Sequence, residues 1–452
     1  MNEDRHFSLI ELKRQLANSI SRIFVKFKIV KSESEKVEKA LYLLTTEHTE
    51  YSYSLEIIKS FYDMGDERKS ALFQLLDAMD AKRIETILNQ IFAVMDTPEW
   101  LITMREDFMR LRKMKVSGQK AAAMKNLNDS FEEYFSKIFN FQYFNTRLCN
   151  YQNTSVKLLK YIAEKEGVHP SEHWWSFEDR LNSPDRIILS LEHFKMPSIP
   201  LVYIELAFSR GLIGNIEKVL AAKRNVIDIS KADTVIFYSV NTTFSGLAGI
   251  GMGRKMIIRA KKFINEKYPQ ISRFATLSPV PKFGTYLDTV LKNEDHEFLL
   301  KQKSIDENAK RCFFTDNEAT AIRREIVKSN PQAEKYKFSD LLASVLGMER
   351  WPQNPVFKAN LKQPMINLLL YYIKNEKRTD RKTGRRQLTA FDPVENFHLS
   401  NGAYLGGINY CGNMSERGLK ESYGMMVNYI YNGKKMDSNK LHYSEGEVII
   451  KI

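Results

Sequence analysis

Cysteine is scarce in this chain. Only Cys149, Cys312 and Cys411 occur in 452 residues. They stand far apart, without the paired spacing of a zinc site or a redox Cys-x-x-Cys. No disulfide scaffold, structural metal or thiol relay is expected, and a reducing cytoplasm is the expected location. Long apolar runs are also missing. The longest, Met365 to Ile373, is broken by Asn367 and falls far short of the ~20 residues that cross a bilayer. The opening Met-Asn-Glu-Asp-Arg-His carries acids early and lacks the apolar stretch of a signal peptide, and the closing Val-Ile-Ile-Lys-Ile is not a peroxisomal address. No membrane partner is expected. Zinc-finger spacing and RNA-binding aromatic signatures are absent too.

What the chain has in excess is positive charge, +13 net. That suits a polyanionic partner: nucleic acid, an anionic surface or a multiply phosphorylated small molecule. The charge is spread out, with one dense run from Lys374 to Arg386 that reads as a solvated loop. With no nucleic-acid motif beside it, nucleic acid is not an expected partner. A content of 43% apolar and 27% charged residues is that of a globular protein, and the length predicts two or three domains.

The first 165 residues read as helices. Leu9, Leu12, Leu16, Ile20 and Ile23 share one helical face, and Ser32 and Glu35 sit at capping-box spacing before a second stripe. Further stripes follow around Leu55–Phe61, Leu72–Leu76, Ile84–Phe92, Trp100–Met114 and Ala121–Phe139. Leu158 to Glu166 ends at Gly167, read as a C-cap. These stripes are core, so residues 1–165 are expected to form a helical bundle domain for support or oligomerisation. Beyond Gly167 strand patterns appear at Arg186–Leu191, Pro200–Phe208, Thr234–Val240 and Arg273–Val280, with helices between and after them. The segments 396–411, 422–431 and 446–452 read as extended. Residues 166–452 are therefore expected to form an α/β domain.

Two stretches carry chemistry. The strand Thr234–Val240 runs into Gly246-Leu-Ala-Gly249-Ile-Gly251-Met-Gly253 and then a basic helix from Arg254. Strand, glycines and helix aim backbone N–H groups at one spot, with the helix dipole behind them. A Walker lysine is missing and the dinucleotide spacing is wrong. A diphosphate fits the geometry, with Arg254 and Arg259 adding charge; a glycine-rich structural turn is the plainer alternative. The second stretch is Asp392-Pro-Val-Glu-Asn-Phe-His398-Leu-Ser-Asn-Gly402. Pro393 and the Asn401-Gly402 turn bound it, and His398 is expected on a short extended segment. Histidine exchanges protons near neutrality, although a buried structural ring would read the same way. Between the two lies Leu277-Ser278-Pro279-Val280-Pro281, a serine stiffened by prolines.

Taken together, Phe237-Tyr-Ser-Val240, the glycine loop, Leu277–Pro281, Asp392–Ala403 and Met426-Val-Asn-Tyr429 resemble the malonyl-CoA decarboxylase family, as do Gly167-Val-His-Pro170 and Pro200-Leu-Val202. The likeness covers about 166–452 with specific motifs and is weaker over 50–165. It implies a helical bundle followed by an acetyltransferase-like (GNAT-like) catalytic domain. It also implies decarboxylation of malonyl-CoA to acetyl-CoA and carbon dioxide, with no metal or other cofactor. Ser278 and His398 match the catalytic pair. Ala248, Gly249, Ile250, Gly251, Met252, Gly253 and Arg254 match the malonyl-CoA loop, and Tyr431 and Asn409 match supporting positions. One malonyl head must reach both Ser278 and His398, so they are expected in one cleft, within roughly 8 Å of each other. The sequence departs from the pattern at Gly251, where a side chain is expected, and at Gly407, where arginine is typical. Alternatives in other classes are a coenzyme-A-dependent acyltransferase and a non-catalytic coenzyme-A-binding relative. A homo-oligomer, dimer or tetramer, is the expected assembly.

Overall fold

Four amphipathic helices pack by their aromatic stripes at the start of the described chain: α1 Asp66–Asp77, α2 Ala81–Met95, α3 Glu99–Lys113 and α4 Lys125–Ile138. The computed structural model describes residues 58, 61–114, 124–171, 173–221, 224–293, 313–348, 350–379 and 385–452. The stripes read at 7–24 and around Ser32–Leu44 lie outside them, as do Cys312, Arg381 and Lys382. Asp80 caps α2 by accepting from the Arg83 N–H. Phe73, Phe108, Phe131 and Phe135 meet ring to ring, largely edge to face, which joins α1, α3 and α4.

The chain then enters a sheet. Its strands are β1 Phe144–Cys149, β2 Arg186–His193, β3 Pro200–Ser209, β4 Thr234–Thr242, β5 Arg273–Thr276, β6 Ser278–Pro279, β9 Tyr404–Asn409 and β10 Met426–Ile430. The order is β1-β2-β3-β4-β5-β10-β6, with β9 on β10. Pairing is antiparallel except between β4 and β5. β1 draws the sheet from residues within the stretch that reads as helical. Its Phe-Asn-Thr-Arg-Leu-Cys has polar residues at half-buried positions and no clean alternation. β3 is buried along its whole length, which is why it reads as a continuous apolar run. A separate hairpin pairs β7 Lys377–Thr379 with β8 Arg386–Ala390.

Helices cover the sheet: α5 Val156–Glu164, α6 Trp174–Asn182, α7 Ile216–Leu220, α8 Met252–Lys267, α9 Phe283–Asn293, α10 Asp316–Val327, α11 Phe338–Leu346, α12 Pro355–Asn375, α13 Pro393–Ser400, α14 Glu416–Ser422 and α15 Met436–Ser444. The helical region followed by a mixed α/β sheet is the expected architecture.

Three local expectations are corrected. His398 lies on helix α13, not on an extended segment. Proline restrains only the residue before it, and Pro393 itself takes the first helical position, where no N–H is needed. Asn401-Gly402 closes that helix, with Gly402 at φ +83°. Gly167 does not cap α5, which ends on Lys165; the Gly167 N–H donates to Asn241 Oδ1 at 3.1 Å instead. Of the segment 446–452, expected to be extended, only Ile450 pairs, in a bridge with Leu405.

Candidate active site

The parallel pair β4·β5 runs in register from Thr234↔Arg273 to Phe237↔Thr276. Beyond it the neighbours change, because β6 pairs with β10 rather than β4. The two strands separate, and a cleft of about 340 Å³ opens in the gap. Its walls include Phe237 to Val240 on one side and Leu277 to Pro279 on the other, with Gly253, Phe397 and His398 closing an end. A larger hollow of about 900 Å³, lined among others by Asp288, Lys292, Trp351 and Tyr423, contains neither Ser278 nor His398. Size therefore does not select the site.

Helix α13 delivers the histidine. Asp392 caps it, accepting from the N–H groups of Val394 at 2.8 Å and Glu395 at 3.1 Å. Its other oxygen accepts from the Lys282 N–H at 3.0 Å, tying the helix to the chain that leaves β6. His398 Nε2 lies 3.0 Å from Ser278 Oγ, much closer than the expected limit, and Nδ1 lies 2.8 Å from the Tyr431 hydroxyl. The ring stacks on Tyr429, with centroids 4.7 Å apart. Ser278 Oγ is also 2.9 Å from Thr276 Oγ1, which accepts from the Tyr429 N–H at 3.0 Å.

These contacts are compatible with either neutral tautomer. Burial pushes the Tyr431 phenol well above its usual range, so it keeps its proton. Among the described residues its hydroxyl meets only Nδ1. If Nδ1 donates, the buried Tyr431 proton has no acceptor among the described residues; if Tyr431 donates, the proton left without one is that of Thr276, which accepts from both Ser278 and the Tyr429 N–H. In the second case the proton on the ring is on Nε2, facing Ser278 Oγ, and Ser278 donates onward to Thr276. Burial also pushes the imidazole down to about 3, so the ring is neutral near neutrality.

Asn409 does not join this group. Its Nδ2 donates to Asn428 Oδ1 at 2.8 Å, and Asn428 in turn donates to the Thr276 carbonyl at 2.7 Å. Of the glycine loop, Gly253 lines the cleft. Gly249 and Gly251 have φ of +84° and +74°, and Gly251 precedes the first turn of α8. A Cβ on Gly253 would stand 2.9 Å from Phe397 Cζ, so glycine there lets α13 close against α8. Ile250 and Met252 are buried, so their side chains belong to the core and only their backbone is available. Arg254 is exposed. Arg259 is turned away from the loop: its guanidinium donates to the Phe141 carbonyl and lies over the Phe141 ring. It adds no charge at the loop, contrary to expectation.

A family model described as the malonyl-CoA decarboxylase C-terminal domain matches residues 143–452. The chain belongs to this family. Its start at 143 coincides with the entry into β1. Among curated proteins, the mitochondrial malonyl-CoA decarboxylases of Mus musculus and Anser anser anser are 27% and 28% identical over 346 and 348 residues. Each alignment covers 76% of this chain, but only 64% and 63% of the relative's length. Crystal structures of malonyl-CoA decarboxylases from Agrobacterium vitis and Rhodopseudomonas palustris share the fold. Their TM-scores are 0.70 and 0.69 at 21% and 22% identity, covering 92% and 100% of this chain and 97% and 98% of theirs.

The structure gives a setting to each of the two glycines, Gly251 and Gly407, at which a side chain was expected. Among the described residues, no atom beyond the adjoining ones lies within 4 Å of a Cβ placed on Gly251, so there is open space at that point of the loop. A Cβ on Gly407 would stand 2.7 Å from Asn428 Oδ1. A side chain at that position would press on the amide that braces Thr276.

Sequence reading missed a polar group behind the other cleft wall. Ser239, which lines the cleft, donates to the Glu166 carboxylate at 2.8 Å. Glu166 also accepts from the N–H groups of Val168 and His169 and from Asn241. Those hydrogen bonds and the neighbouring Glu205 hold Glu166 below its usual range despite burial, while burial and Glu166 push Glu205 up to about 8. The available signal was Glu166 directly before the Gly-Val-His-Pro motif, with Ser239 inside the quoted strand.

Proposed function

We propose that this chain decarboxylates malonyl-CoA to acetyl-CoA and carbon dioxide, as a carbon–carbon lyase. The observation that carries the reading is the 3.0 Å contact between Ser278 Oγ and His398 Nε2, in a cleft that Gly253 of the glycine loop also lines. Family membership supports the same substrate. In the reaction the bond between the α-carbon and the carboxylate breaks, its electron pair moves toward the thioester oxygen, and a proton then joins the carbon. Preorganised hydrogen-bond donors serve the enolate, and an acid serves the carbon.

On this reading the diphosphate of coenzyme A rests on the backbone of Ala248 to Arg254. No main-chain carbonyl among the described residues accepts from the N–H groups of Gly249, Gly251, Met252, Gly253 or Arg254, so these donors are free for an anion. The acyl arm follows the gap between β4 and β6. Ser278 hydrogen-bonds the reacting carboxylate. The cleft-lining residues include no lysine or arginine, so the carboxylate is held by neutral donors between apolar walls such as Phe237, Val240, Leu277 and Val394. Such a setting favours the dispersed charge of the enolate over the compact charge of the carboxylate. The arriving anion raises the proton affinity of His398. The ring takes up a proton from solvent and passes it to carbon, with Tyr431 holding its far nitrogen. Asn409 supports through Asn428.

The test is incubation with malonyl-CoA alone, followed by mass spectrometry of acyl-CoA species. Acetyl-CoA and carbon dioxide forming without an acceptor are expected. Acyl transfer appearing only when an amine or alcohol is added would replace the reading with an acyltransferase. Intact malonyl-CoA that nonetheless binds would replace it with a non-catalytic binding role. Residues 1–165 as a supporting bundle, 166–452 as the catalytic part, a cytoplasmic location and a dimeric or tetrameric assembly belong to the same proposal. Light scattering and cell fractionation check the last two.

A further inference from the structure

The guanidinium of Arg105, on α3 of the helical region, lies buried beneath the glycine loop, with only 1% of its surface exposed. Its Nη1 donates to the carbonyls of Gly246 and Ala248, the second at 2.8 Å. Nη2 lies 3.6 Å from Glu132 on α4. The next residue, Glu106, accepts from the Gly246 N–H at 3.2 Å and the Ser245 hydroxyl at 3.0 Å. A Cβ on Gly246 would collide with the Ile102 carbonyl, so the loop rests directly on α3.

The consequence follows from peptide geometry. In a trans peptide the carbonyl and the following N–H point in opposite directions. Fixing the Ala248 oxygen toward Arg105 therefore turns the Gly249 N–H away from the helical region. Two residues on, Lys255 Nζ donates to the Ile250 carbonyl at 2.8 Å, which turns the Gly251 N–H in the same manner. Gly249 and Gly251 are the two loop residues with positive φ, each preceded by a peptide whose oxygen is held by a cation. We propose that Arg105 is the positioning residue of the coenzyme site, with Lys255 as its second clamp. The helical region thus sets the direction of the N–H groups that receive the diphosphate. This rests on the reading of the loop as the diphosphate site. Burying a guanidinium is costly unless it is paired and hydrogen-bonded, and here the bonds are to a loop that could otherwise flip its peptides and present oxygen to the phosphates.

The experiment compares wild type, Arg105→Met, Arg105→Lys, Lys255→Met and Gly249→Val. Coenzyme A affinity is measured by calorimetry and turnover with two substrates, malonyl-CoA and malonyl-pantetheine, which has the reacting end but no diphosphate. Arg105→Met should weaken coenzyme A binding and raise KM for malonyl-CoA by roughly 10- to 100-fold, the range for hydrogen bonds to a charged group, with kcat nearly unchanged. Arg105→Lys, which keeps the charge and loses the fork, should fall between. With malonyl-pantetheine the Arg105 variants should match wild type, whereas a merely structural role would depress both substrates alike and overturn the proposal. If Arg105→Met does not fold, the same split read on Arg105→Lys and Lys255→Met decides. If Gly249→Val binds coenzyme A as tightly as wild type, the loop reading itself fails. If Gly249→Val is weak and both clamp variants are normal, only the positioning role fails.

Discussion

At the scale of single residues, the site's behaviour depends on what burial does to one imidazole. Burial holds His398 neutral, with its ring pushed down to about 3. A donor that must gain its proton together with the substrate gives a definite pH dependence. Turnover should fall as pH rises through the ring's pKa in the complex, the sign opposite to that of a histidine acting as base. His398→Ala should lower turnover by roughly 10²–10⁴, the range for one general acid, and leave coenzyme A affinity nearly unchanged. Tyr431→Phe removes the hydroxyl that lies 2.8 Å from Nδ1. It should cost roughly 5- to 10-fold in turnover, since a typical hydrogen bond contributes about 1 kcal/mol. Steady-state rates and calorimetry check all three. Wild-type turnover in the His398 variant would remove it from the mechanism.

At the scale of elements, the site is a meeting of strand ends and one short helix. The strand pattern was legible because β4 is nearly all β-branched or aromatic, because β3 is an apolar run broken only by Glu205, and because glycines punctuate β4 from α8. The serine after β5 was legible for the same reason. Two features were not. β1 pairs with β2 although its own alternation is weak, since a long buried neighbour supplies what local propensity does not. Helix α13 was read as extended because proline and an Asn-Gly pair bracket it; yet Pro at the first position and Gly just past the end are also the two marks of a helix. Only the cap decides between them, and Asp392 makes three main-chain bonds that local sequence cannot display. The same cap positions the histidine. Asp392→Ala should therefore destabilise the protein by about 1–2 kcal/mol, as lost N-caps do. Because α13 would also lose its tie to Lys282, kcat should fall while coenzyme A affinity persists. Thermal melts read beside kcat test this, and a stable variant with unaltered turnover would show that Asp392 does not set the ring.

Across the whole molecule, buried ionisable groups oppose one another in their pH response. His169 and His193 are pushed down to about 4 and His398 to about 3, chiefly by burial. Between those values and the ordinary 6.5, the unfolded chain binds protons that the folded one does not. Their stabilising contribution is therefore complete above 6.5 and lost as pH falls toward 4. Glu205 has the opposite sign. Raised to about 8, it keeps a proton in the fold that the unfolded chain releases near 4.5, so its contribution is lost as pH rises toward 8. Glu395 acts in the same direction: burial raises it well above the usual range, and neither of its oxygens finds a hydrogen-bond partner among the described residues. Asp392 and Glu376 are raised as well, chiefly by burial, so four acids oppose the three histidines on the acid side, whereas above 6.5 the histidines no longer change the balance. Stability should therefore decline as pH rises from 6.5 toward 8, with each uncompensated proton changing it by about 1.4 kcal/mol per pH unit. Melting temperatures from pH 6.5 to 8.5 should trace that decline. Glu205→Gln keeps the hydrogen-bonding shape of the protonated acid and cannot ionise, so it should flatten that decline. A melting temperature that climbs steadily to pH 8.5 in the wild-type protein would mean that Glu205 is ionised in the fold. The carboxyl pair behind Ser239 would then carry two charges against the single cation of Arg180, 3.2 Å from Glu205, and that wall of the cleft would be more negative than the neutral-acid account allows.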